Sequence, residues 1–151
     1  MNNYLKCPHI LVCSVLGFIL LFVITPVAGE IEYISSPDGK WIVEQYRNGS
    51  GELISPLSDA QITASFLQEN LIGTMGCNEY ATQYTAAGGA MLIPSSTVTQ
   101  NSCSPSIKAQ ETEYLDNLKH VALYQVNESR LQLFDDDEEL LVSYFAQKSG
   151  N

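Results

Sequence analysis

Basic and imidazole side chains are scarce in this chain. Its 151 residues hold 7 Lys and Arg against 17 Asp and Glu, with 2 His, 1 Trp and 4 Cys. A formal net charge of −10 argues against a nucleic-acid binder, which needs a positive footprint to neutralise phosphates. Two histidines leave little for imidazole catalysis, and no Gly-x-Ser-x-Gly, phosphate loop or zinc-protease helix occurs. Internal repeats and low-complexity tracts are absent as well. What is plentiful is apolar: 45% of the residues, enough for a core and too many for wholesale disorder.

Charge is missing altogether from Ile10 to Ile24. Lys6 before that run, and Pro26, Ala28 and Gly29 after it, give the order of a secretory signal cut before Glu30. The stretch from Pro8 to Val27 would also serve as an uncleaved anchor, since 20 mostly apolar residues span about 30 Å of hydrocarbon. On either reading the remainder leaves the cytoplasm, secreted or tethered to the outer face of the cytoplasmic membrane. Only the N-terminal segment, if uncleaved, would then meet the membrane. Cys13, in the middle of the run after Val12, lacks the setting of a lipidated cysteine. The chain thus divides into a signal or anchor (1–29), a linker or edge segment (30–40), one domain (41–146) and a tail (147–151). Without residues 1–29 the formal charge is −11, and Cys77, Cys103 and His120 are the remaining cysteines and histidine.

From Trp41 onward the apolar segments are short and separated by turn residues. Trp41–Tyr46, Gln61–Phe66, Leu71–Met75, Tyr80–Thr85, Ala90–Ile93, Val121–Val126, Leu131–Phe134 and Leu140–Phe145 read as strands. Glu69-Asn70, Ala87-Gly88-Gly89, Asn127-Glu128-Ser129 and Asp135-Asp136-Asp137 read as the turns between them. One segment has helical spacing. Ser104 can cap it and Pro105 suits its first position. Ile107, Tyr114, Leu115 and Leu118 fall on one stripe, with Glu111, Glu113 and Asp116 on other faces. The predicted fold is therefore mainly β with one helix (α+β): an antiparallel sheet curled toward a small barrel, with a helix over 105–119 packed on it.

Cys77 and Cys103 stand 26 positions apart. Outside the cytoplasm, two cysteines in a strand-rich domain most often form a disulfide, which over a loop of this size contributes about 3–4 kcal/mol. Buried reduced thiols and a redox pair are the alternatives. A Cys-x-x-Cys motif is absent, and zinc would need two further ligands that one histidine does not supply.

The residues around the first cysteine resemble a known family. Gly73-Thr74-Met75-Gly76-Cys77-Asn78-Glu79-Tyr80 is similar to the signature of the META domain, the HslJ-like family of envelope proteins. Tyr84, Leu92-Ile93, Thr99 four residues before Cys103, Glu111 and Leu115, and Leu131-Gln132-Leu133 follow in the family's order, so the resemblance covers Trp41 to Phe145. The signature residues are Gly76, Cys77, Asn78, Tyr80, Thr99, Cys103 and Glu111. Two departures are visible: Gln100-Asn101-Ser102 replaces a basic or apolar pair, and there is no lipidation site. The resemblance implies an envelope module linked to heat shock, antibiotic tolerance, secretion or motility, without an agreed biochemical activity. Its partner would be another, unidentified envelope protein.

No catalytic residues, metal or cofactor are assigned from the sequence. His120 beside Lys119 suits a helix C-terminus. Asp135–Glu139 is an acidic hairpin turn without the alternating ligands and glycine of an EF-hand, which leaves weak calcium binding open. Asn48 and Asn127 head N-glycosylation sequons. The expectation is a non-enzymatic module acting by protein–protein interaction. The alternative is a small apolar-ligand carrier, its barrel cavity lined by Trp41, Tyr80, Tyr84, Tyr114 and Tyr124.

Overall fold

A computed structural model of the chain describes residues 36–127 and 129–147. The expected signal or anchor (1–29), residues 30–35 of the linker and residues 148–151 of the tail lie outside the described residues. Among the described residues no helix is long and apolar enough to cross a membrane.

Eleven strands and one helix are present among them. The strands are β1 (Gly39–Arg47), β2 (Leu53–Ile54), β3 (Thr63–Leu67), β4 (Asn70–Thr74), β5 (Glu79–Gln83), β6 (Thr85–Ala87), β7 (Ala90–Leu92), β8 (Thr97–Val98), β9 (Leu123–Asn127), β10 (Arg130–Phe134) and β11 (Leu140–Ala146). The helix, α1, spans Pro105–Lys119 as the sequence predicts. All strands join one antiparallel sheet in the order β6-β7-β9-β10-β11-β1-β3-β4-β5-β8, with β2 added to β1. Strands β5 and β6 stand near opposite ends of that order, yet only Tyr84 separates them in sequence. The sheet therefore curls until one run of chain serves both ends, a half-barrel. The strand expected over Tyr80–Thr85 is in fact broken at this bend. The short pairings β2 and β8 carry too little alternation to be read from sequence.

Alternation decides which face of each strand is buried. Trp41, Val43 and Tyr46 of β1, Ala64 and Phe66 of β3, Leu71 of β4, Tyr80 of β5, and Leu131 and Leu133 of β10 point into one core. A bulge between Val43 and Gln45 keeps β1 in step with β11. Phe66 meets Tyr84 and Tyr144 edge-on, with ring centroids 5.1 and 6.5 Å apart.

Of the segment read as linker or edge strand, Gly39 and Lys40 belong to β1, which lies inside the sheet between β11 and β3. Gly39 and Lys40 already pair with Phe66 and Ser65, Pro37 is buried, and its carbonyl accepts the Trp41 indole N–H at 2.8 Å. The turn between β3 and β4 falls one residue earlier than the sequence suggests. Gln68 and Glu69 both take positive φ, 49° and 64°, the mirror-type turn whose twist suits a hairpin.

Helix α1 begins at Ser104, whose hydroxyl accepts the Ile107 N–H, with Pro105 at its first turn. Its buried residues are Gln110, Glu111, Tyr114, Asn117 and Leu118. Glu111 was expected on a face other than the apolar stripe and is buried on it instead. It follows Ile107 by four positions and precedes Tyr114 by three, so it shares their stripe. Amide donors take the place of water around its carboxylate.

Candidate functional site

The signature residues converge where β4 turns into β5 beneath the first turns of α1. Gly73 and Gly76 allow the approach. A Cβ on Gly73 would lie 2.0 Å from the Thr63 carbonyl oxygen and 2.8 Å from the Tyr80 ring. Gly76 takes φ +112°, and a Cβ there would come 2.6 Å from Ala60 Cβ. With that space clear, the chain turns sharply at Cys77 and Asn78.

Cys77 and Cys103 form a disulfide, their Cα atoms 6.0 Å apart. This pairing is compatible with a location outside the cytoplasm. Glu111 reaches across from the helix. Its Oε1 accepts the backbone N–H groups of Cys77 at 3.2 Å and Asn78 at 2.6 Å, and its Oε2 accepts Asn78 Nδ2–H at 2.8 Å. Asn78 is engaged on all sides. Its Oδ1 accepts the Thr99 hydroxyl at 3.1 Å and the Asn101 N–H at 2.8 Å, and its Nδ2 also approaches Cys103 Sγ at 3.2 Å. Thr99 Oγ1 in turn accepts the Glu79 N–H at 3.0 Å. Asn101, one of the residues that depart from the family pattern, donates through Nδ2 to the Cys77 carbonyl at 3.1 Å.

Tyr80 leaves this cluster for the core. Its hydroxyl donates to the Thr63 carbonyl at 3.1 Å and pairs with Tyr114 at 2.8 Å, and Tyr114 pairs with Tyr144 at 3.0 Å. Burial holds all three phenols above their ordinary range, since a phenolate would lose its hydration there. Trp41, Tyr84 and Tyr124 are also core residues. The aromatics expected to line a ligand cavity are therefore filling the core.

Sequence reasoning missed Gln110 and Asn117. Gln110 Nε2 donates to the Ala60 and Met75 carbonyls at 2.8 and 3.0 Å, while its Oε1 accepts the Leu57 N–H at 2.7 Å. Asn117 Nδ2 donates to the Arg47 carbonyl at 2.6 Å. Their signal was position: Gln110, Tyr114 and Asn117 follow one another at helical spacing, on the stripe that a search for apolar residues alone overlooks.

The remaining candidates stand apart from this cluster. His120 caps α1 at its C-terminus, exposed, with Nδ1 2.8 Å from the Asp116 carbonyl. Asp135 folds its own turn by accepting the N–H groups of Asp137 and Glu139 at 3.1 and 2.8 Å, and Glu139 pairs with Arg47 at 3.0 Å. Asn48 is half-buried, and its Oδ1 holds the Ser50 and Glu52 N–H groups at 2.9 Å each, whereas Asn127 is exposed at the end of β9.

One open groove, about 760 Å³, crosses the outer face of β1, β3, β4, β5 and β8. Register aligns Lys40, Ser65, Ile72, Ala81 and Thr97 in a row across it. The side chains between Lys40 and Thr97 are short or apolar, and Ile72 is 54% exposed.

The META domain family model matches residues 35–148. No curated protein matches the sequence. Among solved structures, a protein from Burkholderia xenovorans superposes with a TM-score of 0.62 at 22% identity, over 74% of this chain and 83% of that one. A DUF4847 family protein from Bacteroides vulgatus superposes with a TM-score of 0.54 at 13% identity, over 75% of this chain and 95% of that one. At these identities the likeness is one of fold.

Proposed function

We propose that this chain, which belongs to the META domain family, is an exported, non-enzymatic envelope module that acts in stress by holding another envelope protein. The observation that carries this reading is the division of labour between two faces of the sheet. On the inner side the signature side chains are spent on internal bonds: Asn78 and Glu111 satisfy one another and the disulfide loop. On the outer side an open groove offers Ile72 between small residues, rimmed by Lys40 and Glu79. An apolar centre within a polar rim is the general plan of a protein interface. The disulfide and the apolar N-terminal run support export. The carrier alternative loses support, because its five aromatics belong to the core.

Crosslinking in membranes of the native host tests the reading. A photo-crosslinking residue at Ser65 should capture a reproducible partner, Ile72→Asp should abolish that capture, and Gln125→Asp at an exposed position of β9 should leave it intact. Capture that is irreproducible, or indifferent to Ile72→Asp, sinks the proposal.

A further inference from the structure

We infer that reduction of the Cys77–Cys103 bridge converts this corner of the fold into a binding site for a thiophilic divalent cation such as Zn²⁺, held by Cys77 Sγ, Cys103 Sγ and a Glu111 carboxylate oxygen. The inference goes beyond the interaction reading and rests only on this cluster. Counting cysteines and histidines in the sequence leaves zinc short of ligands; α1 brings one more from 34 positions beyond Cys77. The three donor atoms lie within 4.8 Å of one another.

The frame around them has the properties of a metal site. Glu111 is oriented by the N–H groups of Cys77 and Asn78, and Asn78 Nδ2 touches both Glu111 and Cys103 Sγ, an outer contact of the kind that fixes ligand direction. With a zinc–sulfur distance of about 2.3 Å, tetrahedral geometry needs sulfurs about 3.8 Å apart. Cα atoms 6.0 Å apart accommodate that by side-chain rotation. Both cysteines are half-buried, which leaves a path for the ion and a position for water as fourth ligand. Among the described residues Glu111 has no salt bridge, so no side-chain cation competes with a metal ion for its carboxylate.

The chemistry balances. A phosphine reductant breaks the S–S bond and becomes its oxide with the oxygen of water, leaving two thiols. The divalent ion then displaces both thiol protons and binds two thiolates. While the bridge is intact the sulfurs are bonded to each other and the site is closed.

Cobalt(II) is the probe, because thiolate ligation gives a near-ultraviolet charge-transfer band and tetrahedral coordination gives visible bands. The full chain would carry Cys7→Ser and Cys13→Ser so that only the bridge pair reports. After phosphine reduction it should bind an equimolar amount of Co²⁺ with both sets of bands. The oxidised chain and the reduced Cys103→Ser variant should lack them, and Zn²⁺ should displace the cobalt. Glu111→Gln should weaken binding at least tenfold, because a neutral amide replaces a charged carboxylate ligand. Should Glu111→Gln fail to fold, Glu111→Asp must shift the visible bands while keeping the near-ultraviolet one. No charge-transfer band in the reduced chain, loss of its fold on reduction, or bands indifferent to both Glu111 variants would each overturn the inference.

Discussion

Glu111 clamps Asn78 twice, accepting its backbone N–H at 2.6 Å and its side-chain Nδ2–H at 2.8 Å across 33 positions of sequence. A third N–H, from Cys77, reaches the same carboxylate. Removing the acceptor leaves these donors in a site too buried for ready rehydration, at roughly 1–3 kcal/mol for each buried group left unsatisfied. Glu111→Ala should therefore lower stability by about 3 kcal/mol or more in urea unfolding. A loss below about 1 kcal/mol would mean that water replaces the carboxylate without difficulty.

Gly73 is fixed by space. Its missing Cβ leaves room for the Thr63 carbonyl at 2.0 Å and for the Tyr80 ring. Because one obstacle is backbone, Gly73→Ala must part β3 from β4 or expel Tyr80. The expected loss is at least about 3 kcal/mol, at the upper end for overpacking. A thermal melt within a few degrees of the parent would contradict the close approach.

The disulfide closes a loop of 26 positions. In the chain-entropy account this stabilises the domain by about 3.5 kcal/mol. Replacing both cysteines, Cys77→Ala with Cys103→Ala, should lower the melting temperature by about 10–20 °C in a domain of this size. An unchanged melt would show that the helix and the Asn78 bonds already hold the loop.

The turn at Gln68-Glu69 holds two non-glycine residues at positive φ. Such positions cost about 1 kcal/mol or more each, and Asn-Gly is the pair that this turn prefers. Gln68→Asn with Glu69→Gly should stabilise the chain by about 1 kcal/mol in the same unfolding assay. A neutral or destabilising result would show that the two side chains offset their own strain.

Tyr80, Tyr114 and Tyr144 set the alkaline limit. Burial raises their pKa values above the 10.0 expected for an exposed phenol. The unfolded chain releases these protons near pH 10 while the folded chain keeps them. Their contribution is complete below pH 10 and lost as pH rises, by about 1.4 kcal/mol per pH unit for each phenol. Far-ultraviolet circular dichroism and tyrosinate absorbance should change together in one cooperative transition above pH 10. Tyrosinate appearing in full from an intact fold would refute the buried hydroxyl chain.

Much of the fold follows from local rules. Alternation in Trp41–Tyr46 and Gln61–Phe66 marks half-buried strands, because side chains on a strand take opposite faces in turn. Ser104 and Pro105 announce α1 to the residue, since capping is settled within one turn of chain. The break at Tyr84 was not legible. Both sides of it are locally extended, and only the curl of the whole sheet sends them to different neighbours.

The same boundary runs through the candidate site. Sequence by itself determined that residues 41–146 make a strand-rich domain, that a helix runs over 105–119, and that two cysteines are apt to bridge, because these depend on composition, periodicity and neighbouring residues. Only the tertiary structure decided that Glu111 is buried on Asn78, that Gln110 and Asn117 tie α1 to the loops, that the aromatics fill the core, and that a groove opens on the outer face. A polar residue on a helix stripe looks solvated until its partners are known. Here those partners are amides and carbonyls from 33 to 70 positions away, which no local pattern encodes.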